Sequence, residues 1–384
     1  MLALRLARGS HPLALLRRLL VAAASAGVGF LLLCTLSYAL AHPGSAASVA
    51  RLTWCLIPLA ATVHFAVAVA RADPSTRPRP GLSAIGLGPG RLAALAAVST
   101  AMSGALGSMV ALLFFLHLRG DLTGLPFDGA ASELLAADRP LPLAAMLMLL
   151  AIAPLSATAA TALTLRPRRT PTGLDPEPVE EPKGTPGGLP WGCALTTAGL
   201  AIETYTARTS PGSSFPLAGS FESNPVGVLA GWTLTALGLA LAGPAITHFC
   251  GRLLQTLRPG AIRLLAGRTL MDEARGIGRP LGVVSAVASA VITASTLYGT
   301  GPRPFGPLTG LGAALVIACT TATLLTAVAE SRHARAVTTA NLRKLGTPAA
   351  MLRAAAGLRL AALLLVFGPL TWTVATLAAI PLSG

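Results

Sequence analysis

Two apolar runs decide the fold of this chain: residues 281–300 read LGVVSAVASAVITASTLYGT, and residues 309–329 read TGLGAALVIACTTATLLTAVA. Neither run contains Asp, Glu, Lys or Arg. Each has the length of roughly 20 residues with which a helix crosses the hydrocarbon core of a bilayer. Transmembrane β-strands would instead show shorter segments of alternating polarity. The two runs therefore predict membrane-spanning helices.

The rest of the chain has the same apolar character. Its 384 residues have a mean hydropathy of +0.69, with 53% hydrophobic and only 11% charged residues. A soluble domain carries about 25% charged residues, so this chain requires lipid as its solvent. The sequence predicts an all-α polytopic membrane protein of nine or ten transmembrane helices. The nine spans that can be placed are 19–41, 51–70, 92–118, 141–165, 190–206, 225–249, 281–300, 309–329 and 356–380.

The net charge of +15 indicates membrane orientation rather than nucleic-acid binding. Basic residues concentrate in alternate segments between the spans, with almost no aromatic residues among them. A cytoplasmic N-terminus places most of the 29 Lys and Arg residues on the cytoplasmic side, as the positive-inside rule requires. The opposite side receives Arg51, Arg119, Arg139, Arg208 and Arg303. We expect a multi-pass protein of the cell membrane, in contact with the lipid bilayer and without a nucleic-acid partner.

The first span also has features of a secretory signal, because Arg17-Arg18 precedes an apolar run that ends near Ala39-Leu40-Ala41. We favour a first helix that is retained, since the remainder of the chain is polytopic and this span has a counterpart later in the sequence.

An internal repeat is predicted, in which 283–363 is a diverged second copy of 21–103. Arg18 falls opposite Arg279 and Leu87 opposite Leu345, at a nearly constant offset. The span 141–165 has no counterpart in the second copy. The sequence therefore leaves open whether the chain has nine spans or ten. The expected domains are a first four-span unit (1–165), a Pro-rich cytoplasmic linker (166–190), two connecting spans (191–250) and a second membrane unit (251–384).

Sequence motifs for chemistry are scarce. The chain has two lysines, Lys183 and Lys344, and neither lies in the glycine-rich loop that ATP hydrolysis needs. His64 is the candidate polar residue within a span, and either a functional role or a neutral imidazole bonded to a neighbouring helix fits it. Glu203 lies near a span end, where its side chain is expected to reach the membrane interface.

Two segments carry patterned charge. Arg268, Asp272, Arg275 and Arg279 recur at spacings of three and four residues, and this pattern predicts a surface helix with one charged face. A basic helix then ends in Leu342, Arg343, Lys344, Leu345 and Gly346, and Gly346-Thr347-Pro348 is expected to stop it. Both segments also fit a simpler interpretation as solvated positive charge beside the membrane.

The surface helix, the paired spans after it and the motif Leu342-Arg343-Lys344-Leu345-Gly346 together resemble the FtsX-like permease family of ABC transporters. The resemblance covers most of 1–165 and 260–380, and it implies two related FtsX-like units. It also implies docking of a separate ATPase at Arg343, Lys344, Leu345 and Gly346, with Leu342 at the edge of the same site. The corresponding site of the first copy is Leu87, Gly88 and Arg91, where glycines replace bulkier or basic residues.

The resemblance implies a permease subunit that couples a partner ATPase, on the cytoplasmic side, to export or extraction of a peptide, lipid or amphiphilic drug. The chain would be no enzyme and would bind no cofactor or metal of its own, since the partner hydrolyses ATP. A homodimer is compatible with this interpretation. The alternatives are a membrane scaffold or sensor without an ATPase, and a membrane-embedded enzyme built around His64.

Overall fold

A computed structural model describes residues 12–73, 89–121, 129–132, 135, 140–166, 187–209, 225–256, 260–298 and 307–380. All regular elements within these ranges are helices. They are α1 (Pro12–Ala41), α2 (Ala46–Ala72), α3 (Pro89–Arg119), α4 (Leu143–Leu165), α5 (Leu189–Thr209), α6 (Pro225–Thr256), α7 (Ala261–Tyr298), α8 (Pro307–Lys344) and α9 (Ala349–Ala379).

Eight of these described helices are long and apolar enough to cross a membrane, and α5 is the exception. Polar residues reduce the hydropathy of α5, among them Glu203 and Tyr205 near its end. The prediction of an all-helical chain with membrane-length apolar helices is confirmed, and the architecture is that of a multi-pass membrane protein. The exact number of spans stays a prediction.

Five prolines lie inside helices: Pro58, Pro154, Pro244, Pro280 and Pro369. Each lacks the amide hydrogen that a helix interior normally uses, and in water this defect usually ends a helix. Transmembrane helices tolerate it because packed neighbours and Ser or Thr side chains satisfy the released carbonyl groups. These prolines are therefore compatible with long apolar helices.

The chain forms two compact units, of which unit 1 comprises Met1–Pro171 and Phe305–Thr323. Within unit 1, α1 packs closely on α3: the Ser25 hydroxyl donates to the Gly104 carbonyl at 2.9 Å. A Cβ at Gly107 would lie 2.1 Å from the Ala22 carbonyl oxygen, so only glycine allows this approach. The Ser108 hydroxyl donates to the Leu150 carbonyl at 2.9 Å and so joins α3 to α4.

The first part of α8 also belongs to unit 1. Cys319 is buried there with Val21 of α1 and Phe65 of α2. Its sulfur lies 3.7 Å from the Thr62 hydroxyl. The boundaries expected from the sequence place this segment in the second membrane unit (251–384), whereas the structure places it in unit 1. They differ because position along the chain does not show which helices a segment contacts.

Unit 2 comprises Thr172–Pro304 and Leu324–Gly384. A Cβ at Gly282 would lie 2.1 Å from the Leu239 carbonyl oxygen, which shows how closely α7 approaches α6. Polar contacts join α7 to α9: the hydroxyls of Ser285 and Thr371 are 2.7 Å apart, and the Thr293 hydroxyl donates to the Ala375 carbonyl at 3.1 Å.

The predicted surface helix and the span that follows it form one continuous helix, α7. Pro280 falls at their junction without ending the helix. A single proline removes one hydrogen bond and kinks a helix more often than it stops one when neighbours pack against both sides. Buried residues flank Pro280 on both sides and supply this packing. They are Ile277 and Gly278 before it and Ser285 after it.

Candidate functional site

The connection between α8 and α9 is a tight turn, which we call the basic turn (residues 342–348). The Gly346 amide donates to the Arg343 carbonyl at 3.0 Å, and the Thr347 amide donates to the Leu342 carbonyl at 3.1 Å. These two bonds, with Gly346 at φ +88°, form the Schellman motif that commonly closes a helix. Pro348 then takes the N-cap position of α9. The backbone of the basic turn is therefore fixed by local hydrogen bonds.

The basic turn presents its side chains to the outside of the unit. Arg343, Lys344 and Leu345 are exposed, and Leu345 has 82% of its surface accessible. Leu342 is half-buried and Gly346 is exposed. Two cations beside an exposed leucine offer both charge and apolar area to another molecule.

A charge cluster made of Glu273, Arg335 and Arg359 lies in the same unit. The Arg335 Nε atom is 2.5 Å from Glu273 Oε1, and the Arg359 Nη1 atom is 3.8 Å from Glu273 Oε2. The three side chains retain only 12–23% of their accessible surface. One carboxylate from α7 thus lies between guanidinium groups from α8 and α9.

Further hydrogen bonds fix both arginines of the charge cluster. The Arg359 Nη1 atom donates to the Thr269 hydroxyl at 3.2 Å, and the Arg335 Nε atom donates to the Ser331 carbonyl at 3.1 Å. Charge-assisted contacts of this kind are stronger than neutral ones and restrict geometry more tightly. The segment of α8 that leads into the basic turn is therefore tied to α7 through Glu273, and α9 is tied to α7 through Arg359.

The predicted surface-helix residues lie on the exposed side of α7. Arg268, Asp272, Arg275 and Arg279 are all exposed. The opposite face of the same segment is buried, and its members are Ala266, Leu270, Ala274 and Ile277. The segment is amphipathic, with the charge cluster at the edge of its buried face.

The corresponding turn of the first copy is described only in part. Leu87 and Gly88 lie outside the described residues. Arg91 is exposed in the first turn of α3, in unit 1, whereas the basic turn belongs to unit 2. In unit 1 an ion pair joins Arg18 of α1 to Asp73, directly after α2, at 2.7 Å.

His64 and Glu203 lie in different surroundings. His64 is exposed on α2, beside the buried residues Thr62 and Phe65. Glu203 is buried to 1% exposure, so the expectation that its side chain reaches the interface is wrong. It fails because Glu203 lies on the face of α5 that packs against α6. No group of three or more His, Cys, Asp or Glu in the described part of the chain is placed to hold a metal ion.

Glu273 is the residue of the charge cluster that sequence reasoning missed. Its neighbour Asp272 was recognised through the charged face, while Glu273 lies on the other side of the helix. A single carboxylate on an otherwise apolar face, in a chain with several basic segments, is the signal that could have indicated an ion pair. Its partners lie more than 60 residues away, and no local pattern identifies them.

Comparisons of the chain with protein-family models, curated proteins and solved structures find no match.

Proposed function

We propose that this chain is the permease subunit of an ABC transporter, with two related FtsX-like units and a separate ATPase as its partner. The observation that carries the proposal is the basic turn: a locally fixed, exposed basic and apolar surface at the end of a helix held by the charge cluster. An acidic groove on a cytoplasmic partner fits this surface. The partner supplies ATP hydrolysis, and the chain itself acts without a cofactor.

The packing of corresponding helices supports the internal repeat. The predicted first and third helices of each copy pack together, as α1 with α3 and as α7 with α9. An ion pair also joins the first two helices in each copy, as Arg18–Asp73 and as Glu273–Arg335, but the paired residues do not correspond at the offset of the repeat.

The geometry of unit 2 suggests how movement of an ATPase would reach the helices. A push on the basic turn acts on the end of α8 and the start of α9. The charge cluster passes that displacement to α7, because Glu273 contacts an arginine from each of the other two helices. The cargo would be a peptide, lipid or amphiphilic drug that enters from the bilayer.

Co-purification tests the docking site. The double variant Arg343→Glu, Lys344→Glu reverses both exposed charges of the basic turn and should abolish recovery of an ATPase with the purified chain. Arg91→Glu should reduce that recovery in part. Arg332→Glu is the matched control, since Arg332 is exposed on α8 but lies outside the turn.

If an ATPase is recovered equally with the double variant, the docking claim is wrong. If no ATPase accompanies the wild-type chain and the double variant retains function, the protein is instead a membrane scaffold or sensor.

A further inference from the structure

Glu203 lies where α5 and α6 cross, and this crossing is built around two glycines. A Cβ at Gly231 would lie 2.6 Å from the Glu203 Cγ atom, and a Cβ at Gly199 would lie 2.6 Å from the Gly231 carbonyl oxygen. The glycines allow the helices to approach until the Glu203 side chain fills the space between them. The residue keeps 1% of its accessible surface.

The carboxyl group of Glu203 has few polar contacts. The Thr235 hydroxyl donates to Oε1 at 3.4 Å. The second oxygen, Oε2, is buried and has no hydrogen-bond partner among the residues that the structure describes. A buried carboxylate ordinarily needs a cation or several donors, because removal of its charge from water costs several kcal/mol. One long bond from a neutral hydroxyl does not meet that need.

Within the described part of the chain, the segments of α6 and α9 near this crossing supply no charge of opposite sign. The sequence of α6 has no ionisable residue from Pro225 to Thr247, and that of α9 has none after Arg359. Both helices pack against α5. On α5 itself, Tyr205 is exposed and Arg208 follows in the last turn. The surroundings of Glu203 therefore favour a neutral acid over a carboxylate.

We propose that Glu203 is a proton-binding group that holds α5 against α6 as a neutral acid and loosens this helix pair when it ionises. The ligand is a proton, which needs no cavity. The protonated group accepts from Thr235 and places no net charge in the buried crossing. This proposal does not depend on an ATPase partner, and it gives the helix pair a built-in response to pH.

The sign of the pH dependence follows from proton counting. Above about pH 4.3 an exposed glutamate in the unfolded chain is ionised. The folded chain then holds one more proton than the unfolded chain. The ratio of folded to unfolded protein should fall about tenfold per pH unit until Glu203 ionises in the folded state as well. Stability thus decreases as pH rises.

Thermal unfolding in detergent between pH 5 and 9 tests this directly. Glu203→Gln mimics the neutral acid. Its stability should therefore lack the part of the pH dependence that Glu203 contributes in the wild-type protein. Arg208→Gln should keep the wild-type pH dependence. The proposal is overturned if Glu203→Gln follows the wild-type pH profile, or if Arg208→Gln flattens it, since the second result identifies Arg208 as a cation that pairs with a carboxylate.

Infrared spectroscopy gives a second measurement that does not depend on unfolding. The carbonyl band of a protonated carboxyl should be present in the wild-type protein at neutral pH, shift in heavy water and be absent from Glu203→Gln. Its absence from the folded wild-type protein at pH 5 would show an ionised group and contradict the proposal.

Discussion

Glu273 is the residue through which three helices of unit 2 are tied together. Replacement by glutamine removes the negative charge while it keeps the shape, so Arg335 and Arg359 are left close together without a counter-ion. We expect Glu273→Gln to lower the free energy of unfolding by about 1–3 kcal/mol, the cost of leaving a buried polar partner uncompensated. Chemical unfolding in detergent measures the change.

The neighbouring carboxylate provides a matched control for this prediction. Asp272 is exposed, and Asp272→Asn should change the free energy of unfolding by no more than about 0.5 kcal/mol, as is usual at the surface. Equal effects of the two substitutions would mean that the charge cluster contributes nothing beyond ordinary surface charge.

For single residues, the sequence predicted those structural features that depend only on neighbouring residues in the chain. Gly346 followed by Pro348 predicts the end of α8, because glycine adopts positive φ easily and proline cannot continue a helix. The structure ends α8 at Lys344 and places Gly346 at φ +88°. Glu203 and Glu273 could not be interpreted in this way, since their surroundings come from helices distant in the sequence.

At the scale of helices, hydropathy alone located most of the architecture. A run of about 20 apolar residues has one low-energy form in a bilayer, because a helix satisfies all of its own backbone hydrogen bonds. The element that departs from this rule is α5, which forms a helix but is not among the eight of membrane length and hydropathy. Its residues also make close contacts with α6, as Gly192 and Gly199 show.

Close helix approach at glycine gives a prediction for α6 and α7. A methyl group at Gly282 would meet the Leu239 carbonyl oxygen of α6, whereas one at Gly276 of the same helix has open space around it. Gly282→Ala should therefore destabilise the protein by about 1–3 kcal/mol through overpacking. Gly276→Ala should be neutral or stabilise it by up to about 1 kcal/mol through higher helix propensity.

Thermal unfolding of these two variants in detergent measures the difference. If Gly276→Ala is as damaging as Gly282→Ala, the close contact between α6 and α7 is not the cause. The pair is informative because both substitutions add the same methyl group to the same helix.

For the whole molecule, the division into two units differs from the boundaries expected from the sequence. Hydropathy predicts where each span lies in the sequence, but it does not predict which other helices that span packs against. Residues Phe305–Thr323 accordingly joined the first unit, and α5 and α6 joined the second together with α7 and α9. Repeat and function remain proposals that rest on the motif at 342–346, the paired packing of α1 with α3 and α7 with α9, and the exposed basic turn.

The central claim is that the basic turn faces the cytoplasm, where an ATPase can reach it. Leu345 is highly exposed, and Cys193 is the one exposed cysteine of the five, all of which are described. The variant Cys193→Ser, Leu345→Cys therefore carries one reactive thiol in the turn. A membrane-impermeant maleimide should leave this thiol unlabelled in intact cells and label it after permeabilisation. Labelling in intact cells would place the basic turn outside and contradict the account.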